Sequence, residues 1–353
     1  MPAQPSTVVD ISELADFPDR IDVRSPGEYD HDHIPGARSH PVLDNEERIR
    51  IGTLHKQDSA FAAKKAGAAL VARNIAGMLE TAFAGQPRTW RPLIYCWRGG
   101  KRSAALAHVL NEIGWHAVQL KGGYKTYRRH VIDELTRLPK SFSYRVICGV
   151  TGSGKSRLLL ALREAGAQVL DLEGLARHRG SLLGDLPDAP QPSQKAFESL
   201  LCEQLQQFDP ERIVYVESES KKVGEIRVPQ NLIDAMWISG CVRVEATLEQ
   251  RLQLLLEEYV HFIEDPEALH RKLGHLVALH GKEATLRWRA FSDAGDWSGL
   301  VADLLHAHYD PAYLRSMRLN YPQFDAADAV APASMDANGF AAAATNLVRA
   351  YGT

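Results

Sequence analysis

The sequence lacks any run of about 18 consecutive apolar residues, the length that a membrane-spanning helix needs. Its first residues, MPAQPSTVVDI, show no basic segment followed by an apolar one, so we expect no secretory signal and a cytoplasmic protein. No charge of one sign dominates, because 41 Lys and Arg face 44 Asp and Glu. This balance excludes a polycationic chain and leaves nucleic-acid binding to a local patch. The length of 353 residues predicts two domains.

Cysteine is also scarce. The four cysteines, Cys96, Cys148, Cys202 and Cys241, lie far apart and form no C-x-x-C pair. This scarcity argues against a structural zinc site and against a disulfide framework. A free thiol is compatible with a reducing compartment.

What is present includes a glycine-rich, cationic stretch around Cys96. The apolar run Leu93–Tyr95 predicts a buried strand before it, and the residues from Ala104 onward predict a helix after it. Backbone N–H groups in such a loop form an anion nest, and the helix dipole and nearby cations favour a thiolate. A buried structural cysteine is the alternative, but it requires neither two glycines nor three cations. We predict a nucleophilic Cys96 beside an anion site formed by Trp97, Arg98, Gly99, Gly100, Lys101, Arg102 and Ser103.

A second loop has the pattern G-x4-G-K-S between the predicted strand 144–148 and a helix that begins near Arg157. This strand–loop–helix context is the one that a P-loop requires. Lys155 adds a positive charge at a bound diphosphate, and Ser156 is the position for a Mg²⁺ ion. The predicted diphosphate site consists of Gly149, Gly152, Ser153, Gly154, Lys155 and Ser156.

Two further segments follow predicted strands, at the edge where doubly wound sheets bind ligands. Asp171 ends strand 167–171, His178 and Arg179 lie in the segment after it, and Glu217 ends strand 213–217. A P-loop ATPase usually has Asp at the position of Glu217, which weakens the case for nucleotide hydrolysis. We predict these four residues as additional site candidates, with Glu217 able to reach a metal directly or through water.

Residues 85–145 are locally basic, and aromatic residues are interleaved with the cations. Cations that pair with phosphates and rings that stack on bases suit a single-stranded nucleic-acid loop. A merely basic surface is the alternative. The patch surrounds Cys96 in the sequence, so we predict contacts to nucleic acid from Lys125, Arg128 and Arg129.

The remaining segments predict mainly packing elements. Helical spacing covers residues 68–75 and 266–306, and the histidines of the latter segment lack metal-ligand spacing. Residues 139–143 are predicted as a linker and residues 325–340 as a loop, followed by a last helix at 340–350.

The N-terminal part resembles rhodanese domains. The resemblance rests on Asp22-Val23-Arg24 with Glu28-Tyr29, on His33–Ala37, and on the cysteine loop. It implies a parallel sheet flanked by helices and a domain covering residues 1–138, followed by a P-loop domain with a helical C-terminal part at 139–353. One departure is the spacing of Cys96 and Arg102, which is C-x5-R rather than the usual C-x4-R of sulfurtransferases. The wider loop suits a tetrahedral phosphate-like group.

The fusion of these two domains is similar to the tRNA 2-selenouridine synthase family. Besides the two loops, the similarity includes Gly67–Ile75, Asp171–Ala176, Glu217–Ser220 and His308–Pro311. It implies that 2-thiouridine at the tRNA wobble position is first geranylated on sulfur from geranyl diphosphate. Selenophosphate then replaces the S-geranyl group with selenium, and Cys96 would carry the selenium. The selenophosphate synthase that makes this donor is a further candidate partner. The similarity also implies an apolar groove that the sequence does not locate. We expect no tightly bound cofactor and assign no metal site, with Ser156 as the position where Mg²⁺ could bind.

Two alternatives remain open at this point. One is a rhodanese-type sulfurtransferase with a regulatory ATPase domain, which the longer loop and Trp97 disfavour. The other is a C-x5-R phosphatase fused to a small-molecule kinase. A phosphatase needs a general acid over the leaving oxygen, and the sequence assigns none.

Overall fold

The computed structural model describes residues 7–352, which pack into two compact units. Within the described residues, the first consists of residues 7–134 and Ser193–Glu203, and the second of Leu135–Pro192 and residues 204–352. The sequence did not indicate that residues 193–203 pack with the first unit, and the boundary at 138/139 stays a prediction. Among residues 7–352, none of the helices has the length and hydropathy that crossing a lipid bilayer requires.

A parallel sheet forms the centre of the first unit. Its strands within the described residues are β1 (Val8–Val9), β2 (Arg20–Asp22), β3 (Ala37–Ser39), β4 (Leu93–Tyr95) and β5 (Val118–Leu120). They lie in the order β1-β5-β4-β2-β3, with every pair parallel. The three residues of β4 are fully buried, as expected for a strand covered on both faces. Cys96 therefore emerges at the carboxyl edge of a central strand.

Helices cover both faces of this sheet. In the described part of the first unit they are α1 (Pro26–His31), α2 (Asn45–Gln57), α3 (Ala60–Glu80), α4 (Lys101–Ile113) and α5 (Gly123–Arg137), the last of which continues into the second unit. Apolar side chains from α3 and α4, including Ile75, Leu106 and Leu110, pack with Ile94 of β4 in one core. The helix predicted over residues 68–75 is confirmed, because α3 spans them.

The second unit has its own parallel sheet. In chain order its described strands are β6 (Ser143–Cys148), β7 (Gln168–Leu170), β8 (Ile213–Glu217), β9 (Lys222–Val223), β10 (Ile226–Arg227), β11 (Gly240–Val244) and β12 (Asp328–Val330). The sheet order is β12-β11-β6-β8-β7, all parallel, and β9 and β10 form a separate antiparallel hairpin. The prediction of a loop at 325–340 was wrong for β12. That strand has three residues at a sheet edge and two of them are exposed, so it carries little hydrophobic signal.

The helices of the second unit are numerous, and most follow β11. Those of the described chain are α6 (Lys155–Glu164), α7 (Leu172–Ala176), α9 (Gln230–Trp237), α10 (Leu248–Glu258), α11 (Val260–Glu264), α12 (Pro266–Gly274), α13 (Val277–Asp293), α14 (Trp297–Leu304), α15 (Asp310–Asn320) and α16 (Ala337–Tyr351). The helix α8 (Gln194–Gln207) belongs mainly to the first unit, which contains its residues 194–203. A π-helical turn, Leu305–Tyr309, joins α14 to α15. Leu158 of α6 and Phe340 of α16 pack in one core with the sheet. The predicted α/β class and the last helix are confirmed.

Candidate active sites

Backbone hydrogen bonds from the start of α5, just after β5, hold the loop that carries Cys96. The N–H groups of Tyr124 and Lys125 donate to the carbonyls of Cys96 and Trp97 at 2.9 and 3.0 Å. Gly99 has a φ of +61°, and a Cβ there would lie 2.6 Å from the carbonyl oxygen of Leu120, so this position requires glycine. The loop carbonyls are thus directed towards α5, and the N–H of Gly100 is free to face the thiol.

The environment of Cys96 favours its thiolate. The side chain is 4% exposed, and its sulfur accepts hydrogen bonds from the N–H of Gly100 and from the Ser103 hydroxyl, each at 3.2 Å. Burial alone would raise the pKa of Cys96. Hydrogen bonds from Ser103 first, and then from Arg98 and Gly100, outweigh that effect and lower the pKa. The N-terminus of α4 at Lys101 adds the positive end of a helix dipole.

A wide cleft of about 760 Å³ opens over the cysteine loop. Arg98 and Lys101 line it and are exposed, so they are available to an anion. Arg102 donates to the carboxylate of Glu28 at 2.8 Å, and Arg48 lies 3.9 Å from the same carboxylate. Anion binding by Arg102 stays a prediction. It requires the guanidinium to bind the anion in addition to, or in place of, the Glu28 carboxylate.

Glu28 and Arg48 were not assigned to the site from the sequence. Glu28 was recognised only as part of a signature, and nothing local indicated that Arg48 would lie beside it. Burial would raise the pKa of Glu28, but Arg102, the Ser25 N–H and Arg48 lower it. The carboxylate is therefore ionised near neutral pH and cannot serve as the general acid that a phosphatase needs.

Of the predicted tRNA-contacting residues Lys125, Arg128 and Arg129, the structure argues against Arg128. Arg128 is largely buried and pairs with Glu198, and its guanidinium also donates to the carbonyl of Lys195 and the hydroxyl of Ser199. It also lies 3.9 Å from Asp32. Because these partners occupy Arg128 inside the first unit, we remove it from the patch.

Lys125 and Arg129 are both exposed, and for them the tRNA contact stays a prediction. Trp97 is 37% exposed and packs on Tyr124 with a ring-centroid distance of 5.2 Å. An aromatic surface therefore lies beside the Cys96 loop.

The P-loop forms between β6 and α6, as the sequence predicted. Gly152 and Gly154 have φ values of +78° and +88°, and a Cβ on Gly154 would lie 2.4 Å from the Phe340 ring. The ammonium of Lys155 donates to the carbonyl of Gly149 at 2.7 Å. Ser153 is buried, and its hydroxyl has no hydrogen-bond partner within the described residues.

Residues far along the chain brace this loop, and the sequence did not reveal their role. The Tyr313 hydroxyl accepts a hydrogen bond from the N–H of Gly149 at 2.7 Å. Arg251 donates to the carbonyl of Thr151 at 2.8 Å and forms a two-point ion pair with Asp310 at 2.6 and 3.0 Å. Asp310 belongs to His308–Pro311, a segment that resembles the family. The contact with Arg251 shows that this segment helps to hold the P-loop backbone in place.

Acidic side chains gather beside Ser156. The Ser156 hydroxyl donates to Glu173 at 3.2 Å, and the N–H of Glu173 donates to Glu217 at 2.7 Å. Burial, followed by the charges of Asp171 and Glu173, raises the pKa of Glu217 well above its usual range. Burial, then Glu173 and Glu217, does the same for Glu219. Ionising this cluster is therefore less favourable than ionising isolated glutamates, and a nearby cation would favour the carboxylate forms.

These donors fit a Mg²⁺ ion only with help from a ligand. Glu217 is buried and one of its carboxylate oxygens lacks a hydrogen-bond partner, and Ser156 adds a hydroxyl. Within residues 7–352, however, no group of three or more His, Cys, Asp or Glu side chains is arranged to hold a metal. Mg²⁺ commonly uses one or two carboxylates and completes its shell with phosphate oxygens and water.

A cavity of about 400 Å³ brings the P-loop together with most of the additional candidates. Lys155, Ser156, Asp171, His178 and Arg179 all line it. Burial lowers the pKa of His178, whose Nε2 lies 3.1 Å from Asp185. The guanidinium of Arg179 donates to the carbonyl of Glu258 at 2.7 Å.

Glu217 does not line this cavity and reaches it only through Glu173. Asp171 accepts from the N–H of Gly174 at 2.7 Å and so caps α7. It therefore has a structural role as well.

Comparison with known proteins connects both sites to one family. Residues 7–130 match a family described as the rhodanese-like domain, and residues 142–275 match the tRNA 2-selenouridine synthase AAA domain. The chain is 36% identical over 247 residues to the tRNA 2-selenouridine synthase of Shewanella halifaxensis, covering 68% of this chain and 66% of that protein. For the same-named protein of Nitrosomonas europaea the identity is 36% over 251 residues, covering 70% and 64%.

The same-named protein of Hydrogenovibrio crunogenus is 36% identical over 248 residues, covering 68% of this chain and 67% of that protein. The chain spans just under two thirds of the length of the first two relatives. Together with the two domain matches and the two loops, these similarities confirm the resemblance. The chain belongs to the tRNA 2-selenouridine synthase family.

Proposed function

We propose that this chain is an enzyme that converts 2-thiouridine at the wobble position of tRNA into 2-selenouridine. The observation that carries the proposal is the thiolate-stabilised Cys96 in an anion-binding loop, within a chain whose relatives bear that enzyme's name. The P-loop in the same chain supplies a separate diphosphate site. Two anion sites suit two successive transfers.

The first proposed step is geranylation. The thiocarbonyl sulfur attacks C1 of geranyl diphosphate, the C1–O bond breaks, pyrophosphate leaves, and the N3 proton of the base is released to solvent. The P-loop N–H groups and Lys155 stabilise the charge that develops on pyrophosphate. Lys155 donates to the Gly149 carbonyl here and would exchange that contact for a phosphate oxygen. We propose that Mg²⁺ accompanies the pyrophosphate and that no cofactor is tightly bound.

The second proposed step is selenation with selenophosphate. The Cys96 thiolate attacks phosphorus, the P–Se bond breaks, and hydrogen selenide is released beside the base. Selenide then attacks C2 of the S-geranyl base and geranylthiolate leaves, while water hydrolyses the cysteinyl phosphate. This sequence balances without an oxidant. Carrying selenium as a selenylsulfide would instead require phosphorus to be reduced, so we do not retain that route.

The stabilised thiolate and the wider C-x5-R loop support attack on a tetrahedral phosphorus. The alternative of an ordinary phosphatase lacks support, because Glu28 is ionised and lies with Arg102 in the cleft.

Mass spectrometry of tRNA nucleosides tests the proposal. Cells with the gene should contain 2-selenouridine when selenium is supplied, and cells without it should retain 2-thiouridine. Equal 2-selenouridine in both strains would overturn the proposed function. A gene-dependent increase in 2-thiouridine, with no 2-selenouridine formed when selenium is supplied, would favour a sulfurtransferase instead.

A further inference from the structure

A second cavity in the second unit has no role in the sites described so far. It is much narrower than the P-loop cavity, about 70 Å³ against about 400 Å³, and its walls come from α10, α11, α12, α14 and the π-helical turn. Its lining consists mainly of hydrocarbon and aromatic surface, including Leu255, Phe262, Trp297, Leu300, Leu304 and Tyr309. A narrow apolar cavity of this kind is suited to a thin hydrocarbon chain.

This apolar cavity adjoins the P-loop cavity. Thr151, Ser181, Leu255 and Tyr259 line both. A Cβ on Gly152 would lie 2.8 Å from a methyl carbon of Leu255, so this lining residue is packed against the P-loop itself. A molecule with its phosphates in the P-loop therefore has the apolar cavity directly beside it.

The chemistry of the lining selects against a nucleobase. Among the described residues that line the apolar cavity, none carries a charged side chain, and the polar side chains are Thr151, Ser181, Trp297 and two tyrosines. Burial raises the pKa of Tyr259 and of Tyr309, so both hydroxyls stay neutral. A purine has several donors and acceptors that would lose their bonds to water here, which is unfavourable. A hydrocarbon chain loses nothing comparable and gains burial.

We infer that the apolar cavity binds the hydrocarbon chain of a ligand whose diphosphate lies in the P-loop. The ligand class is a short-chain prenyl diphosphate, and its identification as geranyl diphosphate rests on the proposed function. The P-loop of this chain then selects its ligand by the apolar chain rather than by a base. Leu255 and Tyr259 mark the junction between the two halves of that ligand.

Titration calorimetry on the full chain without tRNA tests the inference with three probes: geranyl diphosphate, inorganic pyrophosphate and ATP. Val301 lines the cavity and is half-buried on α14, so Val301→Trp fills the space from a tolerant position. Ser298 is exposed on the same helix and does not line the cavity, so Ser298→Trp is the matched control. Ile263→Trp, on α11, is a second filling variant, and thermal unfolding checks that each variant folds.

We expect both filling variants to bind geranyl diphosphate at least about 10-fold more weakly and pyrophosphate within about 2-fold of the unchanged protein. The control should match the unchanged protein for both probes. Unaltered geranyl diphosphate affinity in folded Val301→Trp and Ile263→Trp would overturn the inference. A selective loss of ATP binding in these two variants would also overturn it, because the cavity would then be a site for the nucleotide base. If geranyl diphosphate binding depends on the apolar cavity but the protein does not geranylate tRNA, the inference about the cavity is supported and the proposed function is refuted.

Discussion

The hydroxyl of Ser103 lies 3.2 Å from the sulfur of Cys96, inside the first turn of α4. Gln119 donates to the same hydroxyl oxygen at 2.9 Å, which leaves the hydroxyl proton to serve the sulfur or the carbonyl of Gly100. A hydrogen bond to the charged form of a group lowers the pKa of an acid. Ser103 therefore links the fold of this loop to the reactivity of its thiol.

Replacing Ser103 with Ala should raise the pKa of Cys96. Because the pKa of Cys96 is lowered, its thiolate persists at a lower pH than that of an ordinary cysteine. Loss of the hydrogen bond should therefore move the midpoint of thiol alkylation to higher pH. A hydrogen bond to a charged group is worth about 1.5–3 kcal/mol, which corresponds to roughly 1–2 pH units. The rate of iodoacetamide alkylation against pH measures the shift. Ser103→Thr keeps the hydroxyl and should keep the midpoint, and an unmoved midpoint in Ser103→Ala would contradict the account.

The salt dependence of tRNA binding should identify which cations contact phosphate. Replacing exposed Lys125 and Arg129 with Ala should reduce the slope of log K against log[salt] by roughly 0.7–0.9 for each lost contact. Arg128→Ala is the matched control, because its guanidinium is paired with Glu198. It should lower the free energy of unfolding and leave the slope unchanged. If Arg128→Ala alone flattens the slope, our reduced patch is wrong.

The ion pair between Arg251 and Asp310 should be required for a competent P-loop. Asp310→Asn weakens a charged contact worth about 1.5–3 kcal/mol and loosens the hold of Arg251 on the Thr151 carbonyl. We expect lower unfolding stability and about 10-fold weaker pyrophosphate binding, since 1.4 kcal/mol corresponds to a factor of 10. Glu245→Gln removes the exposed pair with Arg243 and should change both quantities little. Full pyrophosphate affinity in a destabilised Asp310→Asn would show that the brace serves folding alone.

Removing the charge of Lys155 should impair geranylation. A preorganised donor at developing charge is worth about 3–4 kcal/mol, so Lys155→Ala should slow geranyl transfer on the order of 100-fold or more. The reaction should proceed without added nucleotide and be inhibited competitively by pyrophosphate. Purified protein, geranyl diphosphate and thiolated tRNA provide the assay. A strict nucleotide requirement would show that the P-loop serves ATP or GTP.

Both loops were predictable because their signals are local. Each consists of consecutive residues between a buried strand and a helix, so spacing alone placed Cys96 and Lys155 correctly at the carboxyl edges of β4 and β6. The short strand β12 was missed, because a three-residue edge strand lacks a distinguishing pattern.

The partners of these loops were not predictable from the sequence. Arg102 meets Glu28 across 74 positions, Arg128 meets Glu198 across 70, and Arg251 meets Asp310 across 59. No local pattern connects residues so far apart, and only the folded chain reveals which charges neutralise each other. The apolar cavity was hidden for a related reason, because its lining has the same periodicity as helix packing.

The division of labour between the two loops is the central claim, and one assay tests it directly. Purified Cys96→Ala and Lys155→Ala are each supplied with S-geranylated tRNA and selenophosphate, and the nucleosides are measured by mass spectrometry. We predict that Lys155→Ala forms 2-selenouridine at close to the unchanged rate, while Cys96→Ala forms none and leaves S-geranyl-2-thiouridine. Normal 2-selenouridine formation by Cys96→Ala would contradict the account.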